Sequence, residues 1–179
     1  MLKKILIALA VIIAGVLIAA AFQPDTFGVK RSIVINAKPE KIFPLIDNFH
    51  NWGAWDPWAK LDPNMKVTYD GAAKGKGAQY AWDGNGQVGS GRMEIVNETD
   101  NKDVVIALNF IKPMGAQDTA EFTLEPQGND TTVTWAMEGH VPFIGKIFHL
   151  FMNMDKMVGG QFEKGLNDLK AAAETTTKK

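Results

Sequence analysis

The chain has 179 residues, 46% of them hydrophobic, with 19 Lys plus Arg against 20 Asp plus Glu and a formal net charge of −1. It has no cysteine, which excludes disulfides, a thiol nucleophile and any Cys-ligated metal site. The only arginines are Arg31 and Arg92 and the lysines are scattered singly, the opposite of the clustered basic stripe that nucleic acid requires.

Lys3 and Lys4 precede an uncharged apolar run over 5–22. At about 1.5 Å per residue, this run is just long enough to cross a hydrocarbon core of about 30 Å. The lysines place the N-terminus in the cytoplasm and everything after Phe22 on the extracytoplasmic side, periplasmic or extracellular. The alternative is a cleaved signal peptide with secretion of the domain, since Ala19-Ala20-Ala21 offers a small-residue cleavage site. The run exceeds the usual apolar length of a signal, which favours a retained anchor. The division expected is therefore 1–22 anchor or signal, 23–28 linker, 29–173 folded domain and 174–179 polar tail. Fully extended, the linker spans about 20 Å.

Residues 29–36 alternate and are rich in β-branched side chains, which predicts a strand. Pro39 opens a short helix reaching about Ile46, followed by an irregular stretch holding Trp52, Trp55 and Trp58. From Met65 the apolar period becomes two, and strands are expected near 66–71, 77–83, 88–97, 103–112, 117–126 and 130–140. Turn compositions such as Asp83-Gly-Asn-Gly86 and Gln127-Gly-Asn-Asp130 separate them. Short loops between alternating strands mean an antiparallel meander with one buried face. After Pro142, Ile144, Ile147, Phe148, Phe151, Met154, Val158, Phe162, Leu166 and Leu169 follow helical spacing. A helix of about 40 Å must lie across the sheet, since no other element is large enough to cover it. The fold class is α+β, a curved antiparallel sheet wrapped around a long C-terminal helix behind an N-terminal membrane segment.

This order resembles the helix-grip fold of the START-like superfamily, in which a cavity lies between sheet and helix. Ile33-Val-Ile-Asn-Ala-Lys-Pro-Glu-Lys-Ile-Phe43 is similar to the first strand and helix of the polyketide cyclase/dehydrase-like (SRPBCC) family. Trp52-Gly-Ala-Trp55-Asp-Pro-Trp58 resembles its tryptophan-proline loop, and Gly75-Lys-Gly77 through Gly91 its next hairpin. Thr132-Val-Thr-Trp135 with Gly139 resembles its last strand, and 157–169 the end of its terminal helix. The resemblance covers about 29–170. It implies a cavity for an apolar or amphipathic molecule. Some family members perform cyclisation or dehydration, and many only bind or carry ligands.

The residues offer little catalytic convergence. His50, His140 and His149 have no companions at metal-ligand spacing, and no metal or cofactor is expected. Gly84-Asn-Gly-Gln-Val-Gly89 spells a dinucleotide fingerprint, but it joins two strands where the fingerprint needs a helix start. Glu94, Glu121, Glu125 and Glu138 fall on the polar parity of their strands and read as a solvated face. The opposite parity is aromatic and methionine-rich, suited to walls that orient and adapt to a guest. The expected ligand-binding set is Tyr80, Trp82, Met93, Phe110, Phe122, Trp135 and Met137 on the sheet, Phe148 and Met152 on the long helix, and Trp55 in the tryptophan loop. That loop reads as core packing, as a gate to the cavity or as a lipid contact. The Gly159-Gly160 pair, costing roughly 1 kcal/mol per glycine against alanine, points to a close approach or a bend in the helix.

The reading that follows is a membrane-tethered, exported module holding an apolar small molecule or lipid, without chemistry. One alternative is a cyclase or dehydratase in which His50, Tyr80 or another rim group polarises a carbonyl. The other is a protein-interaction module without a ligand.

Overall fold

The computed structural model describes residues 1–175; residues 176–179, part of the expected tail, lie outside the described residues. Helix α1 (Leu2–Ala21) is apolar after Lys3 and Lys4 and exposed along most of its length. Among the described residues it is the one helix long and apolar enough to cross a membrane.

Strand β1 (Thr26–Ile35) begins before the alternation starting at Val29 indicates. Thr26, Phe27 and Gly28 pair with His140, Gly139 and Glu138, a partnership from the far end of the chain that no local pattern discloses. The linker is correspondingly shorter than 23–28. Helix α2 (Pro39–Ile46) carries Pro39 in its first turn, where the missing N–H costs no helical bond, and buries Ile42, Phe43 and Ile46. A 3-10 turn (Phe49–Ala54) follows, capped by Asn48, whose side chain accepts the His50 N–H.

Strands β2 (Lys66–Gly71), β3 (Ala78–Asp83), β4 (Ser90–Thr99), β5 (Asp103–Lys112), β6 (Ala116–Gln127) and β7 (Asp130–His140) join β1 in one antiparallel sheet. Its order is β1-β7-β6-β5-β4-β3-β2, a meander with β1 returning to the β7 edge. An irregularity in β4 between Ile95 and Asn97 leaves Val96 without an opposite residue, a bulge that bends the strand and adds twist.

The long helix is not continuous. It divides into α3 (Phe143–His149) and α4 (Met154–Thr175). Asn153 causes the division: its side chain accepts the N–H of Lys156, the arrangement of a residue capping a new helix. The apolar period runs through 147, 151, 154 and 158 without interruption and conceals the break. Helix α4 buries Gly159, Phe162, Gly165, Leu166, Leu169 and Ala173, a stripe at helical spacing that lies against the sheet. Helix α3 packs against α1 instead. Phe148, Phe151 and Met152, expected to face the sheet, are exposed.

Helix α4 is fixed to the β1 edge by Arg31. Its guanidinium donates to both carboxylate oxygens of Asp155, at 2.9 and 3.0 Å, and to Glu163 at 2.7 Å. A Cβ on Gly159 would collide with that guanidinium, so Gly159 is the close approach that justifies a glycine inside a helix. Gly160 has nothing near it, and no packing reason for it is evident.

Candidate functional site

The concave face of the sheet is built from rows of cross-strand neighbours. One row runs Val104, Phe122, Trp135, Arg31 across β5, β6, β7 and β1. It is sealed. Trp135 stacks on Phe162 of α4 with ring centroids 4.0 Å apart and planes 7° from parallel. Phe122 stacks on Trp135 at 4.8 Å, and Trp55 meets both edge-on. Trp55, Phe122 and Trp135 of the expected ligand set thus pack on one another in the core. The Trp135 indole Nε1 is buried there with no hydrogen-bond partner.

The tryptophan loop is packing. Trp52 and Trp55 are buried, and their indole N–H groups donate to the carbonyls of Ile46 and Leu45, at 2.9 and 2.8 Å. Carbonyls at the end of α2 have no helical partner, and these indoles satisfy them. With ring and N–H both committed, neither residue is available to lipid.

Two rows nearer the β1 N-terminus differ. Tyr80, Met93, Leu108, Asp118, Gly139 and Phe27 are successive cross-strand neighbours over six strands. Beside them run Trp82, Gly91, Phe110 and Ala116. Trp82, Leu108 and Phe110 are only half-buried, although their parity points inward. Helix α4 packs chiefly on β1, and the tryptophan loop covers the opposite end of the sheet, so this end of the concave face is left partly uncovered. Of the expected set, Trp82, Met93 and Phe110 gather here, with Tyr80 at the row's end and Met137 one row inward. Trp82 and Phe110 meet edge-on at 5.7 Å, and the Trp82 N–H is held by the Val88 carbonyl.

Asp118 is the residue that sequence reasoning missed. It is 8% exposed, and its Oδ1 has no hydrogen-bond partner. Gly139 opposite makes room for it: a Cβ there would overlap the Asp118 carboxylate and the Phe27 ring. Burial pushes the Asp118 carboxyl up to about 6. The signal was available, since Asp118 shares the even parity of Ala116, Ala120, Phe122 and Leu124 in β6. A carboxylate on an apolar parity is the anomaly to look for.

The other titratable candidates lie elsewhere. His50 is exposed and stacks on Tyr69 at the β2 edge, ring centroids 4.0 Å apart. His140 is exposed, and His149 on α3 meets Phe27 edge-on at 6.1 Å. Burial, with Asp56 and Tyr69 nearby, pushes the Tyr80 phenol up, so it remains a hydroxyl. Asp56 is raised to about 6 by burial, partly offset by the backbone N–H groups of Trp58 and Ala59. Among the described residues no group of three or more His, Asp or Glu could hold a metal ion. Two surface grooves, of about 540 and 330 Å³, lie across the ends of β1, β6 and β7 around Phe27, Thr119, Glu138 and Gly139, and between Pro57 and α4. Neither opens over the Tyr80-to-Asp118 part of the inward row.

Solved structures share this architecture at low identity. A protein from Nitrosospira multiformis superposes with a TM-score of 0.60 at 17% identity, covering 86% of this chain and all of that one. The Aha1 dimer from Colwellia psychrerythraea gives 0.56 at 21% identity, covering 83% and 96%. A major latex-like protein from Panax ginseng gives 0.59 at 14% identity, covering 83% and 97%. At these identities the likeness concerns the fold. No curated protein matches the chain. The family model for polyketide cyclase / dehydrase and lipid transport matches residues 26–174, nearly the whole chain beyond α1, and the protein belongs to that family.

Proposed function

We propose that this protein is a membrane-tethered, exported module that holds an apolar or amphipathic small molecule, of lipid type, against the uncovered end of its concave face. The observation that carries the reading is the pair of inward rows at that end. An apolar body fits along Trp82, Met93, Leu108 and Phe110. Gly91 makes room for the Trp82 ring and Gly139 for Asp118 and Phe27, so a guest lies over these side chains. Asp118 supplies the one polar contact an amphipathic guest needs, accepting from a hydroxyl when ionised and donating to a carbonyl when protonated. A buried carboxylate oxygen without a partner is costly unless a ligand or water satisfies it. The tether is α1, whose apolar length suits a bilayer and whose Lys3 and Lys4 favour an outward-facing domain. The family's description as cyclase, dehydrase and lipid transport supports an apolar guest.

The test is to purify the full chain from membranes in mild detergent and extract it for mass spectrometry. A fluorescent fatty acid titrated into the delipidated protein should then bind saturably and quench Trp82. Absence of both a co-purifying amphiphile and saturable binding refutes the reading.

Asp118 also favours a second reading, catalysis of a cyclisation or dehydration with that carboxyl as the acid. A carboxyl held near 6 exchanges its proton close to neutral pH. In that case Asp118→Asn abolishes turnover of a bound carbonyl substrate while leaving fatty-acid binding in place.

A further inference from the structure

Large apolar side chains are exposed in one continuous stretch beyond β7: Phe143, Ile144, Phe148, Phe151, Met152 and Met157. Phe151 is 74% exposed and Phe148 47%. The stretch covers α3, the segment 150–153 and the first turn of α4, and its size exceeds the isolated exposed apolar residues normal on a soluble surface.

Its position in the fold identifies what covers it. Helix α3 packs against α1, and along α1 only Val16 and Ala20, one turn apart, lose exposure. The contact therefore lies on the last turns of α1 and begins about 8 Å before that helix ends, at 1.5 Å per residue. Amphipathic helices lying in a membrane interface sink about 5–10 Å, the same depth. The junction is fixed. Lys146 of α3 is buried in an ion pair with Asp25 of the linker at 2.5 Å, and the Val141 N–H donates to the Asp25 carbonyl at 2.7 Å.

A second exposed apolar pair sits at the same end of the sheet. Phe110 pairs with Ala116, so the β5–β6 hairpin carries Ile111 and Met114 beyond them, and both are exposed. Register places this hairpin with the start of β1 and the end of β7: Leu108 pairs with Asp118, Asp118 with Gly139 and Gly139 with Phe27. Both apolar prongs thus flank the end of the domain at which α1 is attached and at which the concave face is uncovered.

We infer that α3 with residues 150–153, together with the β5–β6 hairpin tip, forms a membrane-docking surface that seats the uncovered end of the concave face on the lipid interface of the bilayer holding α1. The inference rests on α1 residing in that bilayer. Docking places Phe148, Phe151 and Met114 among acyl chains and leaves the opposite end of the sheet, with the β4–β5 turn, in water.

The absence of native cysteine allows single spin labels on the full chain. Ile12→Cys, Met114→Cys, Phe148→Cys, Phe151→Cys and Lys102→Cys are labelled and reconstituted into phosphatidylcholine–phosphatidylglycerol vesicles. Collision with oxygen, which concentrates in lipid, is compared with collision with a water-soluble nickel chelate. Docking gives oxygen-to-nickel ratios at 114, 148 and 151 several-fold above that at 102. If those sites match 102 while 12 is lipid-exposed, the docking inference fails and the tether stands. If 12 also reports water, tether and docking fall together. Exclusion of both reagents at 148 and 151 assigns the surface to a second copy of the chain and likewise overturns docking.

Discussion

Replacing Asp118 by asparagine keeps the side-chain shape and removes its titration, which makes the cost of the buried carboxylate measurable. The native carboxyl holds its proton up to about 6, whereas the unfolded one releases it near 3.8. Between those values the native state binds more protons than the unfolded state, so stability falls as pH rises through the window. Above about pH 6 the full deficit is present. At 1.36 kcal/mol per tenfold, the upper bound on that deficit is about 3 kcal/mol, and water reaching the half-open end reduces it to about 1–2 kcal/mol. Denaturant unfolding of both chains in detergent, followed by tryptophan fluorescence from about pH 4 to 8, measures the difference. Asp118→Asn should be the more stable protein at about pH 7.5 and should show a flatter pH profile between about 4 and 6, with Asp56 and Asp47, both raised by burial, keeping part of the slope. If Asp118→Asn is the less stable protein above about pH 7, the carboxylate makes a favourable contact and the reasoning is wrong.

Phe162→Ala removes the ring stacked on Trp135 and should cost about 3–5 kcal/mol, visible as a lowered denaturation midpoint. The adjacent glycines of α4 should respond in opposite directions. Gly160→Ala should stabilise by about 0.5–1 kcal/mol through helix propensity, whereas Gly159→Ala must displace the Arg31 guanidinium and should lower the midpoint. Arg31→Ala should destabilise the α4–β1 junction, read as faster amide exchange in the first turns of α4. The Arg31 hydrogen bond holds the Asp155 carboxyl below its ordinary value, so this contribution is present at neutral pH and fades as acid protonates Asp155.

The strands were legible because period-two alternation and Gly-Asn-Asp turn chemistry agree with each other between Lys66 and His140. All six meander strands fall within three residues of their expected limits. What escaped was set by distant contacts or concealed by a stronger pattern. Thr26 belongs to β1 only because His140 lies opposite. The break at Asn153 is a capping event inside an unbroken apolar period, so the period points Phe148 and Met152 at the sheet, whereas both are exposed. At the site, parity correctly turned Trp82, Met93 and Phe110 inward. It could not tell which inward residues α4 and the tryptophan loop would seal, because coverage depends on where those elements cross the sheet. Trp55 and Trp135 ended in the sealed half for that reason. Asp118 stands apart from the acidic residues of the polar parity, and its significance lies in standing alone among apolar neighbours.

The junction between α1 and β1 has a kinetic consequence. Only residues 22–25 separate the two elements, at most about 14 Å of chain, and Asp25 is itself held by Lys146. With α1 in the bilayer, such a joint leaves the domain little freedom to rotate or lift. On the proposed function, a guest residing in the same leaflet would be met by lateral diffusion in a plane, at an effective concentration fixed by its mole fraction in the lipid. Under that regime weak intrinsic affinity suffices for high occupancy, and a loosely held guest can be exchanged quickly.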